Sequence, residues 1–152
     1  MPDRESGAEI LILNYARRMQ ELLSTYQSYL DCLNAQHWSR LGDFVHDEVS
    51  HNGRLFGLAG YRVMLENDFQ QIPDLQFRAE LLVCEPPFVA ARLWFNCSPK
   101  GNFLGLALNG RTVSFAENIF YEFDGDKIKT AWSVSIKLPS KISFHSEHCP
   151  PG

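Results

Sequence analysis

Arg111-Thr-Val-Ser-Phe-Ala-Glu-Asn-Ile-Phe-Tyr-Glu-Phe-Asp-Gly-Asp126 decides the fold. Phe115, Glu117, Ile119, Tyr121 and Phe123 share one side of a period-two alternation, and Ala116, Asn118, Phe120 and Glu122 share the other. That pattern predicts a strand over 111–123 with its apolar row on a core. Asp124-Gly125-Asp126 is hairpin chemistry, so a further strand follows over 127–137. Its plain alternation groups Trp132, Val134 and Ile136 on one side and sends Ser133 to the other, unless a bulge changes the phase. Upstream, the reading gives a strand over 88–97 and another in which Leu75, Phe77, Ala79, Leu81 and Val83 form the inner row, with Pro86-Pro87 between them. Pro99, Gly101, Gly105 and Gly110 punctuate a loop.

The first half of the chain has the helical period instead. Ser6 and Glu9 have capping-box spacing, and Met19, Leu22, Leu23, Tyr26, Leu30 and Leu33 draw one apolar stripe that ends near Ala35. A short helical turn at Trp38–Leu41 precedes a strand on which Val49, His51 and Leu55 alternate with Ser50, Asn52 and Arg54. Leu58, Tyr61, Leu65 and Ile72 mark a second helix, entered at Gly57 and stopped at Pro73. Helices followed by a run of strands describe an α+β domain with the helices on one face of an antiparallel sheet.

Length and composition bound the function. A chain of 152 residues, 45% hydrophobic and 21% charged, makes one globular domain. Its formal net charge of −4, with no basic block, argues against a nucleic-acid partner. No apolar run reaches the ~18 residues of a membrane span, and the N-terminus lacks a secretory signal, so no membrane is involved and a cytoplasmic protein is expected. Cys32, Cys84, Cys97 and Cys149 are too scattered for a disulfide framework or a zinc ribbon. Asn96-Cys97-Ser98 is a coincidental glycosylation match, and His145, His148 and Cys149 belong to a tail of terminus composition. Asp124-Gly125-Asp126 lacks the ligand spacing of a calcium loop. Nucleotide, phosphate and metalloprotease motifs are absent, so neither a metal nor a cofactor is expected.

Two ionisable residues stand on apolar rows, Glu117 among Phe115, Ile119 and Tyr121, and His51 between Val49 and Leu55. An inward carboxylate costs several kcal/mol unless it is paired, hydrogen-bonded or protonated. Burial raises a carboxyl pKa and lowers that of an imidazole, which brings an acid and a base together near neutral pH. His51 is therefore the candidate general base and Glu117 the candidate proton donor. Tyr121, with Asn52, is a candidate hydrogen-bond donor to a developing oxyanion. Arg92 is a further candidate, although alternation puts it on the outer face with Trp94 and Asn96.

Several local motifs resemble the SnoaL-like family of polyketide and ester cyclases, within the cone-shaped nuclear-transport-factor-2-like fold. They are His51-Asn52-Gly53, Gly57-Leu58-Ala59-Gly60-Tyr61, Ile72-Pro73-Asp74-Leu75-Gln76-Phe77, Gly101-Asn102-Phe103-Leu104-Gly105, Asn109-Gly110-Arg111-Thr112-Val113-Ser114-Phe115, and Asp126-Lys127-Ile128 before Trp132-Ser133. The resemblance implies a domain over 19–137, after a partly helical extension over 1–18 and before a tail over 138–152. It implies a cone-shaped α+β barrel whose N-terminal helices cover a curved antiparallel sheet and enclose a cavity, lined here by Phe69, Phe77, Phe115, Tyr121 and Trp132. Asn52 and Ser133 join these as substrate contacts. Cyclases of the family carry an acid/base Asp at the position of Ser133, and often another at that of Ile136. Neither is present, which moves the expected acid/base to His51 and Glu117.

The implied function is a cofactor-independent cyclase or isomerase acting on a polyketide-like or terpenoid-like secondary metabolite. A dehydratase or lyase of the same fold and a non-catalytic binding module are the alternatives. Leu82, Trp94 and Phe120 fall on the sheet face opposite the core, where they predict a homodimer through that face.

Overall fold

The structure, a computed structural model, describes residues 6–135. Ile136, the expected strand end at Lys137, and the tail over 138–152 with His145, His148 and Cys149 lie outside the described residues. Helix α1 spans Gly7–Asn34 and α2 spans Gly57–Gln71, with a 3₁₀ turn at Trp38–Asp43 after α1. The strands are β1 (Val45–His51), β2 (Arg54–Leu55), β3 (Arg78–Glu85), β4 (Phe88–Cys97), β5 (Asn102–Phe103), β6 (Leu106–Ala107), β7 (Val113–Asp124) and β8 (Lys127–Ser135). Leu22, Tyr26, Tyr29, Leu30 and Leu33 bury the stripe of α1 against the row Ile119, Tyr121 and Phe123 of β7 and its neighbours, forming a single core.

Six strands form one curved sheet in the order β2-β1-β8-β7-β4-β3. The sheet is mixed rather than wholly antiparallel, because β1 and β8 run parallel. Strands that run parallel need a long connection, and everything from β2 to β7 supplies it here. The sheet also stays open instead of closing into a barrel. The loop over 98–112 contains the small β5–β6 hairpin.

Three local expectations change. Ser6 has the extended backbone of a helix cap but makes no side-chain capping bond; its carbonyl accepts the Glu9 N–H at 2.9 Å instead. Leu55 does not continue the strand of His51, since Asn52 and Gly53, at φ of 48° and 79°, turn the chain into a hairpin that leaves Leu55 exposed. A register shift between Ala79 and Leu81 turns β3 over, so Leu81 and Val83 face outward while Leu82 packs on the core. One unpaired residue in a ladder reverses every later side chain, which alternation alone does not reveal.

Candidate active site

Three adjacent strands bring the site together, with β8 between β1 and β7. The pairing of β7 with β8 slips between Glu122 and Phe123, which pair with Thr130 and Ile128 and leave Lys129 as the extra residue. Beyond this bulge Ala131 and Ser133 face inward, while Trp132 and Val134 face outward. Ser133 stands opposite Ile119 and is a diagonal neighbour of Glu117, which pairs with Ser135. His51 ends β1 and pairs with Ala131, so it approaches Ser133 from the other side. His51 Nε2 lies 2.9 Å from Ser133 Oγ.

Asn52 holds Ser133 in place. The Ser133 N–H donates to Asn52 Oδ1 at 2.8 Å, and Asn52 Nδ2 donates to the Ser133 carbonyl at 3.3 Å and to its hydroxyl at 3.5 Å. Asn52 suits this place because its side chain can clamp a neighbouring backbone while its own backbone adopts positive φ.

His51 and Glu117 line one cavity of about 90 Å³, with Tyr29, Tyr61, Asp68 and Tyr121 among its other walls. Burial, reinforced by the nearby Asp68 charge, pushes Glu117 from 4.5 up to about 7, and the Ser133 hydroxyl beside it pulls in the opposite direction. Burial also lowers His51. Asp68 is exposed on its outer side and stands at the rim; partial desolvation raises it to about 6 against the screening of water. Tyr29 and Tyr61 share a 2.8 Å hydrogen bond, and Tyr26 donates to Tyr121 at 3.2 Å. All four phenols are pushed upward by burial and stay neutral, Tyr61 at about 12. The result is an apolar pocket with hydroxyl donors on one side and, on the other, two titrating groups that flank a serine.

Of the residues predicted from sequence, His51, Glu117, Tyr121 and Phe77 line this cavity. Ser133 reaches it through His51, and Asn52 contributes through Ser133 from an exposed turn. Phe69 is buried one layer back, its ring centroid 5.9 Å from that of Phe77. Phe115 packs between Phe95 and Phe103 instead of on the cavity. Trp132 is a correction: the Lys129 bulge puts it on the outer face, 41% exposed, opposite Phe120. Arg92 is on the outer side as alternation suggests, bound to Glu80 at 3.1 Å and Asn118 at 3.3 Å within the same chain.

Sequence reasoning missed Tyr29, Tyr61 and Asp68 as site residues. Asp68 had a signal, since Leu58, Tyr61, Leu65 and Ile72 leave one gap in a three-four-three-four spacing and Asp68 fills it. Among the described residues no group of His, Cys, Asp and Glu is arranged to hold a metal ion, and no helix is long and apolar enough to cross a membrane.

The family model for SnoaL-like polyketide cyclases matches residues 23–140. A crystal structure of a SnoaL-like polyketide cyclase from Agrobacterium tumefaciens is 53% identical, with a TM-score of 0.75 over 76% of this chain and 91% of that one. TsrD from Streptomyces laurentii shares the fold at 20% identity, with a TM-score of 0.67 over 76% of this chain and 88% of its own. A protein from Kribbella flavida assigned as a ketosteroid isomerase does so at 15% identity, with a TM-score of 0.57 over 88% and 85%. No protein of curated function matches the chain. By the matched span and by the identity to the Agrobacterium structure, the chain belongs to the SnoaL-like polyketide cyclase family.

Proposed function

We propose that the protein is a cyclase or isomerase that works by general acid/base catalysis next to a carbonyl, on a polyketide-like or terpenoid-like molecule. The observation that carries this reading is that His51 and Glu117 line one cavity on either side of Ser133, the imidazole bonded to its hydroxyl and the carboxyl diagonal to it, with burial lowering the first and raising the second. Ring closure or isomerisation beside a carbonyl requires a proton removed, a proton returned and an enolate oxygen stabilised. His51 and Glu117 serve the first two, and the neutral phenols of Tyr121 and Tyr61 are placed for the third. A cavity of about 90 Å³ admits only the reacting end of such a substrate, so the remainder lies outside the mouth near Asp68.

The experiment is deuterium incorporation at the α-carbon of a small 1,3-diketone in D2O, followed by NMR with chelator present. The expected result is exchange above buffer that falls at least about tenfold in Glu117→Gln. Exchange no faster than buffer, together with saturable binding of the diketone, would favour the non-catalytic binding module.

We further propose a homodimer through the outer sheet face, supported by the exposed Trp94, Phe120, Trp132 and Val134.

A further inference from the structure

We propose that Ser133 is a proton relay: its hydroxyl joins His51 to Glu117, so that the two side chains hold one proton between them and pass it across β8. This deepens, and rests on, the acid/base reading of the cavity. The topology supplies the path, because β8 is the strand between the one that carries His51 and the one that carries Glu117. The geometry supplies the contact, with His51 Nε2 at 2.9 Å from Ser133 Oγ and Glu117 diagonal to Ser133 on the same face. The Asn52 clamp on both backbone groups of Ser133 fixes the residue that carries the hydroxyl between the two strands.

A hydroxyl has one proton to donate and two lone pairs to accept with, which is what a relay requires. With Glu117 protonated, its O–H donates to Ser133 Oγ and the Ser133 O–H donates to His51 Nε2, leaving the imidazole proton on Nδ1. When the proton moves, the Ser133 proton passes to His51 Nε2 as the Glu117 proton passes to Ser133 Oγ; the products are an imidazolium, an intact serine and a carboxylate. Two O–H bonds break, one O–H and one N–H bond form, and total charge is conserved. Loss of a proton to solvent from this state leaves neutral His51 with its proton on Nε2, donating to Ser133, which donates to the Glu117 carboxylate.

The other titratable groups facing this unit are Asp68 and Tyr61 from α2, Tyr29 from α1, Tyr121 from β7 and, from β2, Arg54, which pairs with His51 across the hairpin and lays its guanidinium on the Phe56 ring; no Lys or Arg lines the cavity itself among the described residues. The phenols stay neutral throughout, and Asp68, which gives up its own proton near 6, stands at the exposed rim with no hydrogen bond to Ser133 or His51, so none of them supplies the bridging proton.

The relay makes the tautomer of His51 follow the ionisation of Glu117, and NMR of the imidazole nitrogens and the Glu117 carboxyl carbon reads both in the protein without substrate. As pH rises through the Glu117 midpoint, neutral His51 should change from Nδ1–H to Nε2–H with that same midpoint. In Ser133→Ala the exchange of tautomers should disappear and the Glu117 midpoint should move upward, because a donor to its charged form is gone. Ser133→Thr, which keeps the hydroxyl, should behave as the parent, and Glu117→Gln should hold His51 in one tautomer at every pH. A parent protein whose His51 tautomer ignores Glu117, or a Ser133→Ala variant that still exchanges tautomers, overturns the relay. Absence of diketone exchange with the tautomer coupling intact would instead refute the catalytic reading and leave the relay standing.

Discussion

Glu117 carries an unfavourable burial into the folded state, and the sign of its effect on stability follows from that. Its folded pKa of about 7 lies above its ordinary 4.5, so the folded protein binds the proton more tightly than the unfolded chain. Below pH 4.5 both states are protonated and there is no penalty; stability then declines as pH rises to about 7 and stays lower above it. At ~1.4 kcal/mol per pH unit the ceiling is on the order of 3 kcal/mol, less what water at the cavity mouth screens. Glu117→Gln should therefore match the parent in denaturant unfolding near pH 4.5 and exceed it above pH 7, while losing activity. A variant less stable than the parent at high pH would show that the carboxylate is compensated. Tyr61→Phe tests the opposite wall: it leaves the buried Tyr29 hydroxyl without its 2.8 Å partner, at a cost of about 1–3 kcal/mol, visible as a lower thermal midpoint. Glu117, His51 and Tyr121 were legible in sequence because a polar group on an apolar row breaks a pattern. Asp68 left only a faint signal, since a gap in a helical stripe disturbs the pattern far less.

At the level of elements, β4 and the inward row of β7 follow plain alternation because the two strands pair with each other without a register shift from Phe88 and Glu122 to Cys97 and Val113. The phase errors fall on β3 and β8, where a single register shift in each reverses the faces. The parallel pairing of β1 with β8 joins segments far apart in the chain, and no local pattern encodes it. The turn at Asn52 and Gly53 has two duties, shaping the β1–β2 hairpin and clamping Ser133, and they can be separated. Asn52→Gly keeps a residue that tolerates positive φ but removes the clamp. Unfolding should show a loss of about 1 kcal/mol per hydrogen bond removed, with diketone exchange falling further than stability does. Equal activity in Asn52→Gly would mean that β8 positions Ser133 without help.

Across the whole molecule, the described residues expose two apolar surfaces that a monomer does not need. One is the outer sheet face, where Phe120 pairs with Trp132 across β7 and β8, both more than two-fifths exposed, beside Trp94, Val134, Leu81 and Val83. The other is the first turns of α1, where Ile10, Leu11, Ile12 and Leu13 are exposed on all sides of a segment that precedes the span matched by the family. A sheet face can meet its own copy about a two-fold axis, whereas a helix that is apolar all round needs to be enveloped, so the sheet is the better site for pairing two copies. Sedimentation at micromolar concentration should give twice the 17.4 kDa of one chain. Placing Glu at both Phe120 and Trp132 should return it to a single chain, because four like charges would then meet across the axis. Removing residues 1–17 should leave pairing intact, since none of the described residues in that stretch is buried and the core of α1 begins at Leu22. If the truncation dissociates the dimer and the double Glu variant does not, the helix is the pairing element and the sheet face is free.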